Sequence, residues 1–197
     1  MMDYPAFFDD IETIVLKDEL SKFLGVNEHG IIEISFLDIV KMAGHSCPTV
    51  GGAYLMALKG LNVLFPYGMP ERGRIKVELR KSPTEDNAGV EGSVLSNITG
   101  ATADNGFGGL VAGKYSRRGL LFYNAPIDID IRLTCLDTNK QVGVNCSAKR
   151  VVNPGLLLMS AIGPDATPED KKLFPRRFQE MMKTLFENGD RVIDVFE

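Results

Sequence analysis

The sequence predicts an α+β fold: one core domain in which packed helices cover a mainly antiparallel sheet. Three observations support this class: some segments repeat apolar residues at helical spacing, others alternate apolar and polar residues, and the two kinds do not follow a strict βαβ order. The 197 residues are 44% hydrophobic and 24% charged, as is typical of globular proteins. A chain of this length can bury a core without disulfides.

Helices and strands interleave in the first half of the chain. Apolar periodicity predicts helices, and alternation predicts strands. We expect helices over 10–24, 37–44 and 48–64, and strands over 29–36 and 70–80. Gly25 is expected to end the first helix, and Pro48 occupies the first position of the third.

The second half of the chain is expected to contain a hairpin and a helical end. The elements are a helix within 89–98, a glycine-rich loop over 100–109, a strand over 118–124, a hairpin over 127–149, helical segments over 167–174 and 174–189, and a strand over 191–196. The run from Val152 to Thr167 is the best boundary candidate. We therefore expect residues 1–150 to form the core and residues 151–197 to form a helical extension packed on it.

Composition excludes several classes of function. A net charge of -4 argues against a general nucleic-acid binder. The three cysteines form no CxxC pair, which favours a reducing compartment. We find no signal-peptide pattern at the N-terminus and no long apolar run, so we expect a cytoplasmic protein that does not enter membranes.

The segment AGHSCPTVGG combines a histidine and a cysteine at the start of a helix. Cys47 precedes Pro48, so its side chain is expected near free N–H groups that favour a thiolate. With His45, it would suit zinc or another transition metal of intermediate softness. Asp86 and Asp104 are candidates for further ligands. The structural alternative is a cysteine that packs as a small hydrophobe beside a histidine bonded to a backbone carbonyl.

Other residues that could carry chemistry also have structural interpretations. Gly51 and Gly52 allow close approach of a ligand, or tight packing against another helix or a second copy of the chain. Cys135 and Cys146 are in phase with apolar residues of the hairpin and are expected in the core. Lys114, with two following arginines, is a candidate anion site that would use backbone N–H groups of 106–109. The alternative for Lys114 is a solvated strand edge.

Two blocks of sequence resemble the FmdE family, which takes its name from one component of formylmethanofuran dehydrogenase. They are GHSCPTVGGAYLMALKGL and ITGATADNGFGGLVAGKYSRRGLLFY, and the resemblance spans about residues 40–123. It implies an α+β core, an intertwined homodimer and a metal site around His45 and Cys47. This chain departs from the family at Ala101, where the family has a cysteine, and it has no counterpart of the zinc finger that some members carry at the C-terminus.

Three functional hypotheses follow. In the first, a homodimer binds zinc or nickel through His45 and Cys47, has a possible small-molecule ligand, and is linked to C1 or metal metabolism. In the second, Cys47 is the nucleophile of an enzyme and His45 its base. In the third, the protein is a non-catalytic dimeric accessory or assembly factor.

Overall fold

A computed structural model describes residues 4–197; residues 1–3, which begin the expected core domain and the segment searched for a signal peptide, lie outside the described part. The predicted α+β class is confirmed. The helices are α1 (Glu19–Phe23), α2 (Phe36–Ala43), α3 (Pro48–Leu64), α4 (Ala88–Thr99), α5 (Pro154–Ile162), α6 (Pro168–Glu187) and α7 (Gly189–Val192). The strands are β1 (Ile14–Lys17), β2 (Ile31–Ile34), β3 (Ile75–Leu79), β4 (Leu121–Phe122), β5 (Ile131–Cys135), β6 (Gln141–Cys146) and β7 (Ile193–Phe196).

The strands form two sheets. β1 and β2 make an antiparallel pair in which Ile14 faces Ile34. The larger sheet has the order β4-β3-β5-β6-β7; only its β3–β4 pair is parallel, so the expectation of a mainly antiparallel sheet is confirmed. The last strand comes from the segment expected to be a helical extension, so this segment also contributes to the sheet.

The helix predicted over 10–24 is wrong. Ile14 and Leu16 are buried while Val15 is 37% exposed, which is the alternation of strand β1. Asp18 then starts the short helix α1, because its carboxylate accepts a hydrogen bond from the Ser21 N–H at 3.1 Å. The apolar residues of a run this short fit both the helical and the strand period. The N-cap at Asp18 fixes where the helix starts, and the residues before it form the strand.

The C-terminal region differs from the prediction in two respects. The boundary candidate at 152–167 contains helix α5, which starts at Pro154 and is capped by the side chain of Asn153. The two predicted helical segments after it form the single helix α6, with Pro175 inside. Pro175 is exposed, so water can satisfy the carbonyl that loses its helical partner. No helix within residues 4–197 combines the length and apolar character needed to span a membrane.

Helix α3 is enclosed by the rest of the chain, and its glycines make this possible. A Cβ atom on Gly51 would lie 2.9 Å from Met182 of α6, and one on Gly52 would lie 2.8 Å from the Cys146 sulfur of β6. A Cβ atom on Gly60 would lie 2.8 Å from Leu133 of β5. These distances are below normal contact, so the glycines serve packing within the chain.

A buried hydroxyl joins α3 to the small sheet. Tyr54 is fully buried, and its hydroxyl donates toward the carbonyls of Glu12 at 2.8 Å and Ile34 at 3.0 Å. Burial raises the pKa of Tyr54 far above its usual range, so the donor stays protonated. This contact attaches the β1–β2 pair to the central helix.

The packing at Gly52 predicts a coupling between two positions. Gly52→Ala should lower the free energy of unfolding by about 1–3 kcal/mol, because the added methyl overlaps the Cys146 sulfur. In a Cys146→Ala background the same change should be neutral, or stabilise the helix by up to about 1 kcal/mol. Urea unfolding of the four proteins measures the coupling.

Gly155→Ala in α5 is the matched control. The nearest atom to its Cβ would be the Asn153 side-chain oxygen at 3.5 Å, an ordinary contact, so we expect the change to be neutral or to stabilise the protein by up to about 1 kcal/mol. An equal cost of Gly52→Ala in both backgrounds would mean that the sulfur contact is not the reason for this glycine.

Candidate functional site

The His45–Cys47 segment is the connection between α2 and α3. Helix α2 begins with a capping box between Ser35 and Asp38 and ends because Gly44 adopts a left-handed conformation (φ 77°). Helix α3 starts at Pro48, and Cys47 is its N-cap with extended backbone (φ -145°). The predicted position of the cysteine at a helix start is therefore confirmed.

His45 is exposed, and within residues 4–197 only one of its ring nitrogens is engaged in a hydrogen bond. Its Nδ1 lies 3.0 Å from the carbonyl oxygen of Ala43. A carbonyl can only accept, so Nδ1 carries the proton, and in neutral His45 the lone pair is on Nε2. Histidines that bind metals often donate their other N–H to a carbonyl in this way, and the same contact also satisfies a purely structural histidine.

Cys47 is partly buried at the edge of the core, and in the part of the chain that the structure describes its side chain makes no capping hydrogen bond. Among the described residues we find no hydrogen bond between His45 and Cys47, so the nucleophile–base hypothesis gains no support from a contact. The hydroxyl oxygen of Ser46, between them, is buried and has no hydrogen-bond partner within residues 4–197. Buried polar atoms without a partner are rare in folded proteins.

The candidate carboxylate ligands do not join this pair. Within residues 4–197, no three His, Cys, Asp or Glu side chains are grouped so that they could hold a metal ion. Asp86 is exposed and paired with Lys81 at 2.6 Å, a hydrogen bond that lowers the pKa of its carboxyl group. Asp104 is exposed in the glycine-rich loop. One copy of the chain thus offers two neighbouring ligand groups, His45 and Cys47.

The other two cysteines lie where the hairpin pattern predicts them. Cys135 is 4% exposed in β5, and the Cys146 sulfur packs against Gly52. Burial, followed by the nearby charges of Glu91 and Asp130, raises the pKa of Cys146 to about 12. The Cys146 thiol is therefore neutral at neutral pH.

The candidate anion site at Lys114 has a different composition from the one predicted. Lys114 is exposed, and its ammonium lies 5.0 Å from the Tyr115 ring centroid. The loop offers the carbonyl of Gly106 to the Arg118 guanidinium, at 3.0 and 3.1 Å, where we expected N–H groups facing an anion. Ala101, which the predicted resemblance would align with a cysteine of the FmdE family, is fully buried.

Sequence reasoning missed a buried charge cluster near Lys114. The carboxylate of Asp18 lies 2.6 Å from Arg117 Nη2 and 3.5 Å from Arg72 Nη1. Asp18 and Arg117 are 99 positions apart, so no local pattern pairs them. The only local signal is Asp18 itself, an acidic residue three positions before the N–H that it caps.

No family model matches this chain, and no curated protein matches it. The resemblance to the FmdE family thus stays a prediction made from its motifs.

The environment of Cys146 predicts its reactivity. With a pKa of about 12, only about one thiol in ten thousand is ionised at pH 8, so iodoacetamide should label Cys146 in the folded protein very slowly. Labelling should accelerate as the pH rises toward 12. Peptide mass spectrometry after labelling at a series of pH values measures this.

The same shift has a consequence for stability. The folded pKa of Cys146 lies above the ordinary value of 9.0. The neutral thiol therefore contributes fully to the free energy of unfolding below about pH 9, and this contribution is lost as the pH approaches 12.

Protein unfolded in urea is the control for the iodoacetamide labelling of Cys146, since its cysteines have ordinary pKa values. Equal labelling of folded and unfolded protein at pH 8 would contradict the prediction.

Proposed function

We propose that this protein binds a divalent transition metal, zinc or nickel, through Nε2 of His45 and the sulfur of Cys47. The observation that carries the proposal is the hydrogen bond from His45 Nδ1 to Ala43, which leaves Nε2 as the free acceptor two residues before the cysteine. Imidazole and thiolate are both common ligands of these metals.

The start of helix α3 supports the same proposal. Cys47 is the N-cap, so it directly precedes the first helical turn, whose N–H groups have no partner within the helix. These groups and the helix dipole interact favourably with a negatively charged ligand atom. Pro48 at the first helical position lacks an N–H, so it leaves no additional donor unsatisfied.

Two ligands are fewer than the four that are usual for zinc, and we assign the remaining positions to a second copy of the chain and to water. A second copy is favoured because, within residues 4–197 of one chain, no third His, Cys, Asp or Glu side chain joins this pair. An open position would supply Lewis-acid chemistry toward a small molecule, which fits the hypothesis of a role in C1 or metal metabolism.

Metal analysis of purified protein tests the proposal. Wild-type protein, prepared under reducing conditions without chelators, should contain stoichiometric metal, and Cys47→Ser and His45→Gln should each lose most of it. Titration with Co²⁺ adds a spectroscopic test, since a thiolate–cobalt absorption band should be present in wild type and absent from Cys47→Ser.

His29→Gln is the matched control, because His29 is the other histidine and lies exposed in a turn. It should keep its metal and its cobalt spectrum. Circular dichroism confirms that each variant is folded. Wild type without metal, or equal metal content in all three variants, would refute the proposed site.

The second-copy ligand predicts a link between metal and assembly. Metal-loaded wild type should sediment as a dimer at micromolar concentration. Cys47→Ser should already dissociate into monomers at a higher protein concentration than wild type. Sedimentation velocity with and without metal measures this. A metal-loaded monomer would rule out completion of the site by a second copy.

A further inference from the structure

A cavity of about 630 Å³ lies among the start of α1, the segment leading into β3, and the loop after Gly113. Small-molecule sites commonly have volumes of roughly 300–1,000 Å³. Its charged lining residues are Arg72, Arg74, Lys114, Arg117 and Arg118, opposed by Glu19 and Glu71. None of these belongs to the His45–Cys47 segment.

The two carboxylates oppose the cations only partly. Glu19 is paired with Lys17 at 2.5 Å, and Arg74 is paired with Asp137; neither partner is part of the lining, so Arg72, Lys114, Arg117 and Arg118 are the cations that remain. Burial is the largest influence on Glu71 and raises the pKa of its carboxyl group, so this group takes up a proton more readily than an ordinary glutamate. The cavity is therefore cationic in character.

Positive charge exceeds negative charge at the base of the cavity. Arg72 and Arg117 share one buried carboxylate, that of Asp18, which also accepts from the Ser21 N–H. Two guanidinium groups on one carboxylate leave one positive charge uncompensated. In addition, Nε of Arg72 is buried and has no hydrogen-bond partner within residues 4–197. Because the two guanidinium charges exceed the single carboxylate charge, this cluster has capacity for an anion.

The loop at the rim of the cavity carries a further cation, Lys114, and residues on both sides of it have strained backbone conformations. Within residues 4–197, Lys114 has no carboxylate partner, and its ammonium lies over the Tyr115 ring. Tyr115 has φ 64° and Ala112 has φ 57°, both in the left-handed region that side chains rarely adopt. Such strain tends to occur at ligand-binding segments.

We propose that this cavity binds a small organic phosphate, with the phosphate at Arg72, Arg117 and Lys114. Guanidinium groups match phosphate oxygens two at a time, and a phosphate carries more negative charge than a carboxylate, which suits several cations contributed by separate segments. The organic part lies against the apolar lining residues, Leu20, Tyr115, Leu120 and Leu136.

Calorimetric titration of the full-length protein at constant ionic strength tests the proposal. Three probes are compared: phenyl phosphate, inorganic phosphate and benzoate, which keeps the ring but replaces phosphate with carboxylate. Phenyl phosphate should bind saturably at millimolar concentration or below, more tightly than inorganic phosphate and much more tightly than benzoate.

Variants separate the parts of the site. Lys114→Gln, an exposed change, should weaken phenyl phosphate about tenfold. Tyr115→Asn removes the aromatic ring, and asparagine tolerates the positive φ of this position. The variant should therefore bind phenyl phosphate no more tightly than inorganic phosphate. Lys172→Gln, exposed on α6, removes the same charge elsewhere and should have no effect. Cys47→Ser should bind phenyl phosphate like wild type, which separates this site from any metal.

The absence of saturable binding by either phosphate would overturn the proposal. So would equal weakening by Lys114→Gln and Lys172→Gln, because that result indicates general charge attraction. Benzoate binding as tightly as phenyl phosphate would refute the assignment to phosphate.

Discussion

The enclosure of helix α3 is the constraint on which the rest of the structure depends. The large sheet, helix α6 and the β1–β2 pair all pack against this one helix. They can do so only because Gly51, Gly52 and Gly60 leave room for side chains from α6, β6 and β5. This packing places the first turn of α3, with Cys47 as N-cap, at the edge of the core.

The parts of the fold that the sequence predicts well are those with a strong local signal. Pro48 and the apolar run from Val50 to Leu58 define α3, and strict alternation defines β3 and the β5–β6 hairpin. The errors occur where local signals compete. Residues 10–24 satisfy a helical period, but their N-cap and burial divide them into a strand and a short helix. Residues 152–167 contain turn-forming residues at both ends of the helix α5.

The same distinction separates the two candidate sites. His45 and Cys47 are neighbours in the chain, so their juxtaposition can be inferred from the sequence, whereas their orientation depends on Gly44 and the Ala43 carbonyl. The cationic cavity is assembled from segments that are distant in the sequence, and only its Lys114 rim has a local signal. Charged residues carry little information about their partners, because any aspartate can pair with any arginine that the fold brings near.

Asp18 belongs both to the segment 10–24, wrongly predicted as one helix, and to the charge cluster beside the cavity. In an uninterrupted helix over 10–24, its carboxylate would be one more charge on a helical surface. Because the strand ends at Lys17, Asp18 instead caps α1 with the oxygen that also accepts from Arg117. A single residue thus stops the strand, starts the helix and provides the one carboxylate that two arginines share. The cavity depends on this cap, since the cap turns the carboxylate inward to where the two arginines meet it.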